Sequence, residues 1–236
     1  MMDGMSLHMK NRVAVFDVDG TIFRSSLLIE LTDALVAGGA FPSQARATYA
    51  GELARWRARE GEYERYIGAV IAAFERHIPG VPYSLLKDVS RSVVRTEHNH
   101  VYRYTRDLAR DLKGKGYFLL AISQSPKVIL DEFCDSFGFD KVYGRIYETD
   151  SENKCTGKIV DLHLIANKAN IVRRAVEKEN LTLRGSVGVG DTEGDIPFLE
   201  MVEKPICFNP NEKLYRYARL MKWSTVVERK DVIYEI

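Results

Sequence analysis

The feature that most constrains this chain is a continuous apolar run, Val13-Ala14-Val15-Phe16, that stops abruptly at Asp17-Val18-Asp19-Gly20-Thr21. Apolar residues without alternation leave no face for water. A strand here must be covered on both sides, as in a parallel sheet between helical layers. Two carboxylates then stand two residues apart at the end of that buried strand. They repel each other and cost stability unless a cation or proton sits between them. Asp and Gly are common turn residues, but a turn alone leaves the pair uncompensated. A calcium loop of EF-hand type does not fit. Counted from Asp17, its glycine position is Ile22 and its final glutamate position is Leu28.

The rest of the chain supports an α/β reading. The first strand is expected over residues 10–16. From Ser25 the period becomes helical, with Leu27, Leu28, Leu31 and Leu35 on one stripe and Gly38-Gly39 as the stop. Helices are expected over 43–60, 62–77 and 83–97, and no strand is expected between 23 and 106. A helix ending near Lys113 precedes an apolar strand at 117–122. Ser125-Pro126 is expected to cap and open a helix to about residue 137. Residues 145–149 and 156–161 are expected to form a hairpin. A helix at 167–180, a strand at 186–189, a helix start at Pro197, a strand at 206–208, a helix at 212–221 and a strand at 225–228 complete the order. Strands alternating with helices imply a three-layer, Rossmann-like parallel sheet. The expected organisation is a core from residues 1–23 and 107–236, interrupted by an all-helical cap at 24–106.

Composition removes several function classes. With 45% apolar and 28% charged residues, the chain has enough apolar surface to offset chain entropy, so disorder is not its main state. A net charge of +1 supplies no field toward nucleic acid or an anionic membrane, and neither is expected as a partner. The longest apolar stretches, 67–74 and 117–122, fall far short of the roughly 18 residues of a spanning helix. Residues 1–10 show no apolar segment of a secretory signal. Three widely spaced cysteines, Cys134, Cys155 and Cys207, suit reduced thiols and a cytoplasmic location.

Chemistry-bearing residues gather at strand ends: Asp17 and Asp19 after the first, Ser123 after the second, Asp191 and Asp195 after a later one. In open parallel sheets the carboxyl ends of strands carry the ligand crevice. Lys168, opening a helix, can reach the same place. Asp17, Asp191 and Asp195 bring a charge of about −3, which calls for a hard divalent cation such as Mg²⁺.

Asp17-Val18-Asp19-Gly20-Thr21 resembles the first motif of the haloacid dehalogenase (HAD) superfamily. Ser123 resembles the second, Lys168 the third, and Gly190-Asp191-Thr192-Glu193-Gly194-Asp195 the fourth. The four occur in order, and the resemblance covers the chain after Met9. The helical insert resembles the C1-type cap of the phosphoserine-phosphatase-like subgroup (subfamily IB), as do Thr156-Gly157-Lys158 and Phe208-Asn209-Pro210-Asn211.

The resemblance implies a Mg²⁺-dependent hydrolase of a small phosphorylated metabolite, acting through an aspartyl-phosphate. Asp17 is then the nucleophile and Asp19 the general acid and base. Asp17, the backbone carbonyl of Asp19 and Asp191 are then the metal ligands, with Asp195 supporting them. Ser123, the backbone near Gln124 and Lys168 hold the phosphate, and Arg24 is a candidate substrate contact. Phosphoserine itself is doubtful as substrate. The position of the subgroup's substrate-binding glutamate is Ser26 here, with Glu30 one turn beyond, and Gly194 stands where an asparagine is usual. A phosphotransferase or phosphomutase using the same intermediate stays open, as does a catalytically silent phosphate-binding regulator. A receiver-type module fits poorly, because its phosphorylated aspartate should end a third strand.

Overall fold

The computed structural model describes residues 11–236. Lys10, the expected start of the first strand, and the remainder of the 1–10 segment lie outside the described residues. The central strand β1 (Arg12–Asp17) runs parallel to β2 (Phe118–Pro126) on one side and to β5 (Thr182–Gly190) on the other. Beyond β2 lie β3 (Lys141–Thr149) and the antiparallel β4 (Cys155–Val160). Beyond β5 lie β6 (Lys204–Phe208), β7 (Ser224–Arg229) and the antiparallel β8 (Val232–Glu235). The fold is a three-layer α/β Rossmann-like sheet, parallel at its centre and closed at each edge by an antiparallel strand.

The uninterrupted apolar run in β1 has the expected cause. Ala14 and Phe16 enter a hydrophobic cluster on one face of the sheet, and Val13 and Val15 enter a second cluster on the other. The second face is covered by α7 (Leu162–Ile165), α8 (Lys168–Lys178), α9 (Ile196–Leu199) and α10 (Glu212–Met221), which supply Ile165, Ile171, Phe198 and Leu214.

All the structure between β1 and β2 is helical: α1 (Leu27–Ala37), α2 (Gln44–Ala58), α3 (Tyr63–His77), α4 (Tyr83–Glu97) and α5 (Arg103–Gly114). Their apolar stripes join the first cluster, which runs unbroken from Leu27, Leu31 and Phe74 to Phe16 and Leu119. The boundary expected at 106/107 falls inside α5. The connection between α3 and α4 is pinned to β4, with Gly80 N–H donating to the Cys155 carbonyl (2.8 Å) and Cys155 N–H to that of Val81 (2.9 Å). On the same side, Arg91 of α4 pairs at 3.0 Å with Glu132 of α6 (Lys127–Asp135).

Two expectations need correction. The second strand does not stop at residue 122 but continues through Pro126, and α6 begins only at Lys127. Ser125 is no helix cap, because its hydroxyl is spent on Asp19 at 2.8 Å. Strand β8 adds four residues, VIYE, that no expectation covered, although Val, Ile and Tyr favour strands. All three cysteines are free and buried, and no described helix is long and apolar enough to cross a membrane.

Glu228 on β7 ties the ends of the insert to the sheet. Its buried carboxylate accepts from Arg24 (2.5 Å) and from the backbone N–H groups of Arg103 (3.1 Å) and Tyr104 (2.8 Å) at the start of α5. A residue remote in sequence thus caps α5. Glu228→Ala leaves those N–H groups and Arg24 without their acceptor. It is expected to lower the unfolding free energy by ~2–4 kcal/mol in urea denaturation, with Glu228→Gln losing less.

Candidate active site

The order of the strands places the site. From β1 the chain steps to β2 and β3 on one side, then crosses to β5 on the other, so β1 and β5 flank the point where the winding reverses. Crevices open at the carboxyl ends of strands at such a point. Pairing of Asp17 with Ile122, and of Phe16 with Val189, brings Asp17, Ser123 and Asp191 to one level.

The loop after β1 is wound tightly. The Val18 carbonyl accepts from the N–H groups of Thr21, Ile22 and Phe23 at 2.9–3.3 Å. Gly20 has φ +80°, and a Cβ there would lie 2.2 Å from Asp191 Oδ2. Any side chain at residue 20 would therefore collide with the second acidic motif. Gly190 is bare for a similar reason, since a Cβ there would lie 2.6 Å from Asp195.

Oxygens of Asp17, Asp191 and Asp195 lie within 4.8 Å of one another. Lys168, buried at the first turn of α8, donates 2.5 Å hydrogen bonds to Asp17 Oδ1 and Asp195 Oδ1. Asp195 is satisfied on both oxygens: Oδ2 accepts from the N–H groups of Asp191 (2.9 Å) and Thr192 (3.0 Å). Thr21 Oγ1 donates to Asp191 Oδ1 at 3.2 Å. Among the described residues, no protein donor claims Asp17 Oδ2 or Asp191 Oδ2. Those two oxygens offer a hard divalent cation the ligands it prefers, whereas Asp195 is already committed to Lys168 and the backbone.

Electrostatics agree with that division. Burial pushes the Asp17 and Asp191 carboxyls up, and repulsion from Asp195 adds to it, while Lys168 pulls both down. For Lys168 itself, burial alone disfavours the ammonium, but Asp17 and Asp195 outweigh it and hold it above its usual range. Three carboxylates against one ammonium leave the site short of positive charge.

The remaining candidates fall into two groups. Asp19 and Ser123 belong to the cluster: Asp19 Oδ2 accepts from Ser123 and Ser125, and its Oδ1 accepts from Leu27 N–H at 2.6 Å. Asp19 thereby supplies the cap that Ser26 does not give α1. Gln124 lines the cleft, but its side-chain amide donates to the Ile165 carbonyl (2.6 Å) and its carbonyl oxygen accepts from Arg145 (3.2 Å). Arg24 stands at the edge, held by Glu228 and by the Val101 carbonyl (2.9 Å) over the ring of Tyr102. That is the position of a junction contact. No role in the site was expected of Thr21, Ser125 or Asn211, although Ser125 was expected to cap a helix. Thr21 was visible inside the first motif, whereas Asn211, whose N–H donates to the Asp191 carbonyl at 2.8 Å, carried no signal of its distant partner.

Above this floor opens a cleft of about 1370 Å³. Its far wall comes from α2 and α3, including Trp56, Tyr63, Tyr66 and Ile67. Glu30 and Ser26 line it from α1, and burial pushes the Glu30 carboxyl up.

The haloacid dehalogenase-like hydrolase family pattern matches residues 14–200 of the chain. Over 208 residues the chain is 26% identical to a phosphoserine phosphatase of Archaeoglobus fulgidus, covering 87% of this chain and 54% of that protein. It is 25% identical over 128 residues to a histidinol-phosphatase of Neisseria meningitidis, covering 52% of this chain and 58% of the relative. The chain thus spans little more than half the length of either. A solved structure described as a phospho-aspartyl intermediate analogue of phosphoserine phosphatase superposes with a TM-score of 0.60 at 16% identity, covering 94% of this chain and 95% of that one. The two share a fold.

The crowded carboxylates set the pH response. Burial raises Asp17 to about 7 from an unfolded value of 3.8, so between those values the folded chain holds a proton the unfolded chain has lost. This contribution to stability is present at low pH and disappears as pH rises through the folded pKa. In metal-free buffer near pH 7.5, Asp191→Asn removes one repelling charge and is expected to be ~1–2 kcal/mol more stable than the parent, the order of one pKa unit. The difference should shrink near pH 5 and on adding Mg²⁺, as followed by thermal unfolding with and without chelator.

Proposed function

The chain belongs to the haloacid dehalogenase-like hydrolases, and we propose that it is a Mg²⁺-dependent phosphatase that hydrolyses a small phosphomonoester through an aspartyl-phosphate on Asp17. The observation that supports this best is the Asp17 carboxylate. It is buried at the end of the central strand, fixed through one oxygen by Lys168 and free at the other, beside a second half-free carboxylate on Asp191. Two of the relatives are named as phosphatases, one for phosphoserine and one for histidinol phosphate. The reaction class is common to both names, and the substrate is not.

In this reading Asp17, the Asp19 carbonyl and Asp191 hold Mg²⁺, which when bound offsets the carboxylate charge and that of the phosphoryl oxygens. The attacking atom is an oxygen of the Asp17 carboxylate. Its bond to phosphorus forms as the ester P–O bond breaks, and the leaving alkoxide takes a proton from Asp19. Asp19 then removes a proton from water, whose oxygen attacks phosphorus and releases Asp17. Lys168 orients the nucleophile through Oδ1 and adds positive charge where the phosphoryl oxygens gather. Ser123, now donating to Asp19, turns to a phosphoryl oxygen when substrate arrives, which frees the Asp19 carboxyl for proton transfer. Backbone N–H groups near Gln124, which lines the cleft, are further donors for the same phosphate. Arg24 and Glu228 steady the junction and do not touch the phosphate.

The test is Mg²⁺-dependent release of phosphate from 4-nitrophenyl phosphate. Asp17→Asn is expected to lose at least ~10³-fold in kcat while still unfolding in a cooperative thermal transition, since it removes the nucleophile outright. Beryllium fluoride should protect the parent against unfolding but not the variant. Undiminished turnover by Asp17→Asn would overturn the assignment. Partition of phosphate to added alcohols would favour the transferase reading.

A further inference from the structure

Resting on the phosphatase reading, we propose that the cleft selects phosphomonoesters whose alcohol carries a planar ring, and that Trp56, Tyr63 and Tyr66 form the wall that receives it. The two walls of the cleft differ in chemistry. Its floor is the charged cluster around Asp17, which can only hold the phosphate end. The opposite wall presents the rings of Trp56, Tyr63 and Tyr66 and aliphatic side chains of α2 and α3, with Arg46, Arg57 and Glu64 beside them. At about 1370 Å³, the space exceeds the roughly 300–1,000 Å³ of sites for drug-sized ligands. A phosphate and a three-carbon alcohol would leave most of it to water.

The position of α3 puts these rings where the leaving alcohol must lie. Glu64, in the first turn of α3, accepts from the Asn211 side-chain amide at 3.5 Å, and Asn211 N–H donates to the Asp191 carbonyl. The start of α3 therefore crosses the cleft and stands over the loop that carries Asp191. Tyr63 is the residue before this contact. Burial pushes its phenol above the usual range, and the carboxylates of Asp19 and Asp191 add to the effect, so their field reaches the ring.

The three rings are already arranged edge to face. Trp56 and Tyr63 lie 5.4 Å apart at 62°, and Tyr63 and Tyr66 lie 6.1 Å apart at 75°. Tyr66 is buried, but Trp56 and Tyr63 keep part of their surface open to the cleft. Aromatic rings favour such edge-to-face and offset contacts with another ring beyond simple area burial. A planar ring on the substrate completes the cluster, and a saturated ring of similar size does not offer the same quadrupole.

The experiment compares esters whose leaving alcohols are of similar acidity: ethyl phosphate, 2-phenylethyl phosphate and 2-cyclohexylethyl phosphate, each with Mg²⁺. The expected kcat/KM for the phenyl ester is at least ~10-fold above the ethyl ester and several-fold above the cyclohexyl ester. Trp56→Leu and Tyr63→Leu should each bring the phenyl-to-ethyl ratio toward one, whereas Tyr63→Phe, which keeps the ring, should preserve it. The ratio is read within each variant, so a partial loss of folded protein does not move it. Equal rates for phenyl and ethyl esters, equal rates for phenyl and cyclohexyl esters, or an unchanged ratio in both Leu variants would overturn the ring proposal. Absence of Mg²⁺-dependent release from every ester, and from 4-nitrophenyl phosphate, would instead overturn the phosphatase reading on which it rests.

Discussion

The interaction on which the rest of the structure depends is the buried ammonium of Lys168, held at 2.5 Å from both Asp17 and Asp195. Carboxylates within 4.8 Å of one another in a buried site repel strongly, and removing one partner from such a network costs far more than breaking an exposed pair. One lysine cannot neutralise three acids. The site is folded but electrostatically unfinished, and the oxygens left over, on Asp17 and Asp191, are the ones that face the cleft. Stability is spent here on crowding acidic groups that folding alone would disfavour, as is common at sites of activity.

That network also dictates local backbone. The loop after β1 passes against Asp191, and only a glycine at residue 20, with φ +80°, permits it. For Asp195 to serve Lys168 with one oxygen, its other oxygen must gather the N–H groups of Asp191 and Thr192, which tightens the turn after β5. The two acidic motifs thus shape each other across the sheet, although more than 170 residues separate Asp17 from Asp191.

The helical insert is tied to this centre rather than merely appended. Asp19 caps α1 through Leu27 N–H, Glu228 receives Arg24 and caps α5, and the connection before α4 pairs with β4. The insert is therefore anchored at its two ends and along α4, while α2 and the start of α3 reach across the cleft.

The amino-acid sequence by itself determined the α/β class, the helical interruption after the first strand, and the floor of the site. Those features rest on local signals: an apolar run without alternation at 13–16, glycine and proline punctuation, and Asp, Ser and Lys at strand ends or helix starts. Element limits were less legible where a side chain had a distant partner. Ser125 reads as a helix cap beside Pro126, but Asp19 claims its hydroxyl and the strand continues. Likewise β8 pairs with the edge of β7, a contact that its short four-residue run does not announce by itself.

Tertiary structure alone decided which carboxylate is already spent, which oxygens remain, and what faces them. Asp191 and Asp195 are the same residue type four positions apart. Only the reach of Lys168 and the N–H groups of the following turn separate a free oxygen from a committed one. Tyr63 in sequence is simply the first residue of an amphipathic helix. It becomes part of the site because Glu64 meets Asn211 across the cleft, a contact between segments 147 residues apart that no local pattern encodes.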